Sequence, residues 1–582
     1  MKFRLATIVV GLMLCSAAPG QTIKIQIVGR EVWKPVTLTI IGPIVNPNAD
    51  PNPFRDCRLT VIFENGGNRV LVPGYLGSDL QWHAHLLPDR PGIWSYEVNF
   101  RSGPDIALSD DLKAGHPMAG DGLKGTHTVI ANEQQTSGLL RHVGGRYLQF
   151  AGNDKYFIKA GADSPENFLA YAGFDGTYRI GKPQKRQGES FTDHLHHYKP
   201  HRNDFVRGPA WNGDNSVNIL GAIEYLASAG VNSVYMLTMN VDGDGKDVWP
   251  WIKPDVRDRF DTTKLAQWND LFTFMNDRGI ALHIVTQEQE NDQLLDGGEL
   301  GPLRKLYYRE LIARFAHHPM LFWNLGEENT NTTAQQKAFA EYIRKLDPYN
   351  HPIVIHTFPN QKQKVYEPLL GFDGIDGPSL QIGNMKHTHA QTLEWINRSA
   401  EAGRPWVVCL DEIGPADTGV KPDSVDPDHD DVRRYALWGN LMAGGAGVEW
   451  YFGYKYPNND LNCEDFRSRE NMWKQTKIAV DFFQRHLPFV DMQSHDELTT
   501  SKDDYCFALV GEVYAVYLPP RRTTSLTLPA GRFSVKWFDP RQGGEHQSGS
   551  IRSLDGPGEL PLGEPPTDAD RDWVVLIERD QP

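Results

Sequence analysis

Two apolar runs in this chain end in carboxylates. One reads Met320-Leu321-Phe322-Trp323-Asn324-Leu325-Gly326-Glu327-Glu328-Asn329, the other Trp406-Val407-Val408-Cys409-Leu410-Asp411-Glu412. Each has the length of a fully buried parallel strand. Each also delivers glutamates to the strand's C-terminal end, where a (β/α)8 barrel carries its chemistry. Two carboxylates facing one another, one protonated and one ionised, are the minimum needed to break a glycosidic bond. The bland alternatives are a surface Glu-Glu pair for Glu327 and Glu328, and a helix-cap or ion-pair role for Glu412.

Other strand ends are polar too. Asp163 and Asn167 follow the first expected strand, Asn240 the second, and Gln287, Glu288, Glu290 and Asn291 the third. His356 ends the fifth, and Glu449, Trp450 and Tyr451 stand at the eighth. A sugar has apolar faces and a rim of hydroxyls, so polar groups around an aromatic floor suit it. Trp211, Trp249 and Trp251 lie in loops that reach toward the same face as stacking platforms, although a single tryptophan is more often packing.

Two patterns look like metal ligands. His194, His196, His197 and His201 cluster after the first strand with Asp193 and Asp204 nearby, but the spacing fits no standard zinc frame. Asn240-Val241-Asp242-Gly243-Asp244-Gly245 begins like a calcium loop, yet its twelfth position is Trp251 and it follows a strand, so a tight polar turn is the simpler expectation. Residues 426–431 read as a loop and helix N-cap. No metal or organic cofactor is expected.

The elements must position these residues. Amphipathic helices over 217–230, 264–278, 303–317, 335–346, 391–402 and 432–443 alternate with strands over 233–239, 281–286, 320–324, 352–356, 406–410 and 447–451. A strand at 156–160, a weak one near 374–377 and a last helix at 472–486 complete the set. Eight βα units close a parallel sheet into a barrel, and the lack of a Gly-rich turn after any strand argues against a doubly wound sheet. Before the barrel, short alternating segments at 36–40, 58–63 and 93–98 predict an antiparallel β-sandwich. After it, segments at 505–510, 513–518, 525–528, 532–539 and 573–577 predict a small β-domain. The fold class is therefore α/β: a (β/α)8 TIM barrel over 138–490, a β-sandwich over 21–136 and a C-terminal β-domain over 491–582.

Composition narrows the partners. The 582 residues carry 59 basic and 74 acidic side chains, a formal charge of −15 that disfavours nucleic acid and anionic membranes. Lys2 and Arg4 precede an apolar stretch at 5–14, too short to span a bilayer, and then Ser16-Ala17-Ala18-Pro19-Gly20. This predicts a signal peptide over 1–20, cleavage near Gln21, and export to the periplasm or beyond. Leu14 before Cys15 argues against lipidation. Cys57, Cys409, Cys463 and Cys506 are scattered and suggest no zinc site, and Cys409 reads as a buried small hydrophobe.

The segment from Trp323 to Asn329 resembles the acid/base motif of clan-A glycoside hydrolases: tryptophan, asparagine, two variable residues, then asparagine-glutamate after the fourth strand. Trp323, Asn324 and Glu328 match, which implies Glu328 as proton donor. Glu327 stands where that family has the asparagine that holds the sugar's 2-hydroxyl, and it remains a rival for the acid. The resemblance also implies Glu412, at the seventh strand, as the nucleophile, with Asp411 expected to point the other way because strand side chains alternate. The whole mature chain further resembles a bacterial group in which a β-sandwich precedes an apiosidase-like barrel and a small β-domain, sometimes described as collagen-binding, follows. Trp33-Lys34-Pro35-Val36-Thr37, Gly161-Ala162-Asp163-Ser164-Pro165-Glu166-Asn167 and Gly326-Glu327-Glu328-Asn329 carry that likeness.

The expectation is an exported, retaining glycoside hydrolase with Glu328 and Glu412 as its catalytic pair. Asp163, Asn167, Asn240, Glu288, Glu327, Asn329, His356, Glu449, Trp450 and Tyr451 are expected to bind the carbohydrate. A carbohydrate-binding protein on a degenerate barrel is the alternative, and a metal-dependent hydrolase using the histidine loop is a third. The sugar, its linkage and the oligomeric state are not written in the sequence.

Overall fold

The computed structural model describes residues 23–42, 44–133, 137–181, 194–243 and 245–580. The expected signal peptide, Asp193 and Asp244 lie outside them.

Eight parallel strands close into a barrel in chain order. They are β1 (Lys159–Ala162), β2 (Ser233–Leu237), β3 (Ala281–Val285), β4 (Leu321–Asn324), β5 (Ile353–His356), β6 (Gly377–Ile382), β7 (Cys409–Ile413) and β8 (Gly447–Trp450). Helices between them cover the outside, among them Val217–Ser228, Thr262–Asn276, Pro302–Phe315, Thr333–Leu346 and Thr388–Glu401. Thr333–Leu346 starts with a full capping box, Thr332 and Gln335 each bonding the other's backbone, which fixes where the chain leaves the β4 loop.

The barrel's interior is polar. Lys159 Nζ lies 2.9 Å from Asp411 Oδ1 and 3.2 Å from Glu449 Oε2, with the Phe322 ring 4.9 Å away. His283 Nδ1 is 2.7 Å from Glu449 Oε2, and Ser233 donates to the same carboxylate. Side chains from six strands converge here only if all point inward. Burial alone would lower the lysine's pKa, but Asp411 and Glu449 more than offset it and keep Lys159 charged. A Cβ at Gly161 would come within 2.3 Å of Glu449 Cγ, so β1 needs glycine there.

This polarity explains where the expected strands were misplaced. The first barrel strand runs over Lys159–Ala162, while Tyr156–Phe157 belongs to a separate three-stranded sheet with Leu140–His142 and Leu148–Phe150. The sixth lies at Gly377–Ile382 rather than 374–377, and the seventh at Cys409–Ile413 rather than 406–410. Tracking apolar runs stops a strand at its first carboxylate, yet Asp411 and Glu412 lie inside β7. Asp411 does not point away from Glu412. The register slips between Leu380 and Gln381, with Leu380 opposite Leu410 and Gln381 opposite Glu412. That bulge leaves Asp411 as the extra residue and turns both carboxylates inward.

The N-terminal region holds two antiparallel sheets. One contains Lys24–Val28, Val36–Ile41, Tyr75–Leu76 and Trp82–Leu86; the other is built on Cys57–Asn65 and Gly92–Ser102. They rest on helix Pro302–Phe315, where Arg309 donates to the Leu59 carbonyl at 2.9 Å and Arg314 to that of Leu76 at 2.7 Å. The C-terminal region is a six-stranded antiparallel sheet. Its Ser525–Phe538 is one long strand bulged at Leu528/Gly531, where Pro529 and Gly531 suggested two, and Ser553–Pro561 is a strand that sequence reasoning missed. Arg433 holds this sheet to the barrel through Asp572, at 2.8 Å. Cys409 is a buried free thiol in β7. Among the described residues no helix is long and apolar enough to cross a membrane.

Candidate active site

Carboxylates crowd the C-terminal mouth of the barrel. Glu412, at the end of β7, is buried, and its Oε2 lies 3.4 Å from His356 Nε2 at the end of β5. Glu327 is buried beside it. The Tyr235 hydroxyl of β2 donates to Glu327 Oε2 at 3.0 Å, and His356 Nδ1 is 3.9 Å from Glu327 Oε1. Donor atoms of Glu327, His356 and Glu412 all lie within 4.8 Å of one another. Glu328, only partly buried, accepts from Gln381 Nε2 at 3.0 Å, and Gln381 stands opposite Glu412 in the β6–β7 register. Gln381 of β6 therefore sits beside both expected catalytic residues.

The β4 loop is shaped to do this. Gly326 has φ 144°, and a Cβ there would meet Gln287 and Asn329 at 2.9 Å. Glu328 takes φ 42°, a left-handed conformation that costs a non-glycine residue roughly 1–3 kcal/mol. The backbone around it pins that conformation: Glu327 N–H donates to the Gln287 carbonyl at 2.9 Å and Asn329 N–H to that of His356 at 3.1 Å.

Asp163, just after β1, is 1% exposed, and neither of its carboxylate oxygens has a hydrogen-bond partner. Burial first, then the charges of Glu166, Glu412 and Asp460, push its pKa well up. Burial and then Glu328 do the same to Glu412, opposed by the Gln381 hydrogen bond. Burial, then Glu288, Asp163 and Glu412, raise Glu327. His356 is driven the other way, to about 3, by burial and the neighbouring His283 and Lys362, so it is neutral. The mouth therefore combines raised carboxyls with a neutral imidazole. Carboxyls raised in this way are the kind that general acid catalysis needs.

The remaining expected residues divide. Tyr451 reaches the cluster: its hydroxyl donates to the Ala416 carbonyl at 3.1 Å, and burial with Asp460, Glu412, Glu166 and Asp163 raises its pKa. Glu288 lies against Glu166 and Glu327. Asn167 bonds His196 at 2.8 Å, Asn240 accepts from Asn291 at 2.8 Å, and Asn329 braces its own loop through the Leu325 carbonyl at 3.1 Å and Gln336 at 3.1 Å. Glu449 sits lower, on Lys159, His283 and Ser233. Trp450 turns outward, as the residue after an inward Glu449 must, and its indole donates to Thr476 on helix Glu470–His486 at 2.8 Å. It cannot floor a sugar site at the barrel mouth. Trp211, Trp249 and Trp251 are all buried; Trp211 stacks on Phe174 and Lys264 lies over Trp249.

In the histidine loop, His194 and His196 bring Nδ1 to 3.9 and 3.5 Å of Glu464, whereas His201 pairs with Asp204. Glu464 also accepts the His197 N–H at 3.0 Å, so it organises the loop backbone. Tyr235, Gln381, Glu166 and Asp460 were not anticipated. Tyr235 has a sequence signal, a hydroxyl amid the apolar strand Ser233–Leu237; Asp460 arrives from the loop after β8 with none.

Comparison with solved structures fits this geometry. Structural neighbours of the chain are glycoside hydrolases. A candidate glycoside hydrolase from Bacteroides vulgatus superposes over 94% of this chain and 99% of its own, with TM-score 0.64 and 15% identity. A structure described as a glycoside hydrolase covers 76% of this chain and 97% of its own at TM-score 0.54 and 14% identity. A family 5 glycoside hydrolase from Bacteroides vulgatus covers 76% and 94% at TM-score 0.52 and 15% identity. At these identities the likeness is one of fold. Residues 29–101 match a family model described as a domain of unknown function, DUF5060. No curated protein matches the sequence.

Proposed function

We propose that this protein is an exported glycoside hydrolase that cleaves a poly- or oligosaccharide with retention of configuration. The observation that carries the reading is the placement of Glu328 and Glu412 beside Gln381 at the barrel mouth, Gln381 donating to Glu328 and standing opposite Glu412 across β6 and β7. Glu412, ionised, attacks the anomeric carbon, and Glu328 gives its proton to the departing glycosidic oxygen. The glycosyl–Glu412 ester is then opened by water, with Glu328, now a carboxylate, taking the water's proton. One proton divided between two close carboxyls suffices for this, and the productive arrangement places it on Glu328.

Glu328 suits the acid's role better than Glu327. The leaving group departs toward solvent, and Glu328 is the more exposed of the two. Glu327 is buried and engaged by Tyr235 and Glu166. The crowded carboxylates at the mouth favour neutral sugars, since a uronic acid or sulfate bound there would meet like charge. The basic start of the chain and the apolar segment at 5–14 support export.

The test is a screen of the purified protein against neutral and acidic polysaccharides and aryl glycosides, with the product anomer followed by proton NMR. Hydrolysis of a neutral glycan with retention supports the proposal. Binding of a glycan without turnover would favour the carbohydrate-binding alternative, and inversion would remove Glu412 as nucleophile.

A further inference from the structure

The carboxyl oxygens of Glu166 and Glu327 approach within 4.8 Å of each other. Two ionised carboxylates buried that close repel each other, and a proton on one of them relieves this and supplies a donor to the other. Both are buried, 6% and 3% exposed, and with Glu288 they bring three carboxyl oxygens within 4.8 Å of one another. Tyr235 donates to Oε2 of Glu327, and Glu166 takes its place from the β1 loop, its carbonyl accepting the Leu237 N–H of β2 at 3.0 Å. The pair is thus held by β1, β2 and β4 together, immediately beside Glu412.

We propose that Glu166 and Glu327 share a single proton and act as one unit of charge −1, which sets the charge felt by the Glu328–Glu412 pair. Glu327 and Glu166 are positioning residues in this account. Two full charges at that distance would hold the catalytic acid's proton too tightly to deliver it near neutrality; one charge holds it moderately. Burial raises both carboxyls, helped by Asp460 and Glu288 at Glu166 and by Glu288, Asp163 and Glu412 at Glu327, in agreement with a retained proton. The kinetic half of the argument rests on the hydrolase reading; the shared proton does not.

The titration pattern is diagnostic. Glu327→Gln leaves Glu166 free to ionise, and Glu166→Gln leaves Glu327 ionised, so either single variant keeps the charge at −1. Only the double variant removes it. Wild-type-minus-variant infrared difference spectra at neutral pH should show the same protonated-carboxyl band lost in both single variants, over bands from the other mouth carboxyls that all three proteins share, and each variant serves as a check should the other fold poorly. On whichever aryl glycoside wild type hydrolyses, the alkaline limb of the pH–rate profile should stay put in each single variant. In the double variant it should fall by roughly one to two pH units. If neither wild-type-minus-variant spectrum shows a lost protonated-carboxyl band, the proposal is overturned whether or not any substrate is found, as it is by a stoichiometric divalent cation in the purified protein that replaces the proton. Equal, additive shifts from the two single variants would also overturn it, since they mean two separate charges.

Discussion

The two ends of the barrel bury titratable groups in opposite ways. At the N-terminal end, beneath the sandwich, His85 is bonded to Thr37 at 2.8 Å and Tyr75 at 2.6 Å, and His318 to Asn269 at 3.1 Å. His351 is bonded to Asp347 at 2.8 Å and to the His318 carbonyl at 3.0 Å. At the C-terminal end, Asp163 has no partner on either oxygen, and Glu166, Glu327 and Glu412 face like charge. Burial is the largest influence on His85 and His318 and on these acids, lowering the two imidazoles and raising the carboxyls. For His85 and His318 the neutral form is bonded and at rest. The acids stay crowded against one another, which leaves their charge and protons available to a ligand. Burial therefore does not distinguish a site from a joint; the like charges gathered around Asp163, Glu166, Glu327 and Glu412 do.

Several substitutions sharpen that contrast. Between the two ends lies the Lys159 layer, which obeys the joint's rule with charges. Lys159→Met leaves Asp411 and Glu449 buried together without their cation and should cost about 3–5 kcal/mol in chemical denaturation. A small loss would mean that those carboxyls already carry protons.

Acid should weaken the joint. The unfolded chain takes up protons at His85, His317 and His318 near pH 6.5, whereas folding holds His85 and His317 well below that and His318 at about 3. Their contribution is complete above about pH 6.5 and declines as pH falls toward 3, by up to about 1.4 kcal/mol per pH unit for each histidine. Thermal melts across that window should show the slope, and His318→Gln should flatten it.

The carboxylate-rich mouth should respond with the opposite sign. Glu412 has a raised folded pKa, so at neutral pH its ionisation favours the unfolded chain. Glu412→Gln should therefore stabilise the protein by about 1–2 kcal/mol at pH 7, with the gain fading below about pH 4.3. Smallest of all, Trp450→Phe should cost about 1 kcal/mol, the hydrogen bond to Thr476, and leave substrate KM unchanged. A large rise in KM would return Trp450 to the sugar site.

Much of this was legible in the sequence. The βα alternation and the carboxylates at two strand ends located the barrel and the Glu328 and Glu412 positions. Period-2 alternation, applied to β8, separates Glu449 from Trp450 without a structure. Other features were not legible for a physical reason. A bulge has no compositional mark, so nothing in Leu410-Asp411-Glu412 says that both acids turn inward. An interior built on Lys159, His283, Asp411 and Glu449 also defeats a search for apolar runs, because the strand core itself is charged. Glu166 and Gln381 needed the closed barrel, since each meets its partners across strands far apart in sequence.

The most direct test of the central claim compares wild type, Glu412→Gln and Glu328→Gln on aryl glycosides of graded leaving-group acidity. The sugar would be the one identified by the screen, and folding would be confirmed for each variant. Glu412→Gln should lose roughly 10²–10⁴-fold on every member of the series. Glu328→Gln should lose as much on the poorest leaving groups, yet recover cleavage as the leaving group needs less protonation. If Glu328→Gln tracks wild type across the series while Glu327→Gln shows that dependence, the acid is misassigned; if Glu412→Gln stays active, the paired-carboxylate account fails.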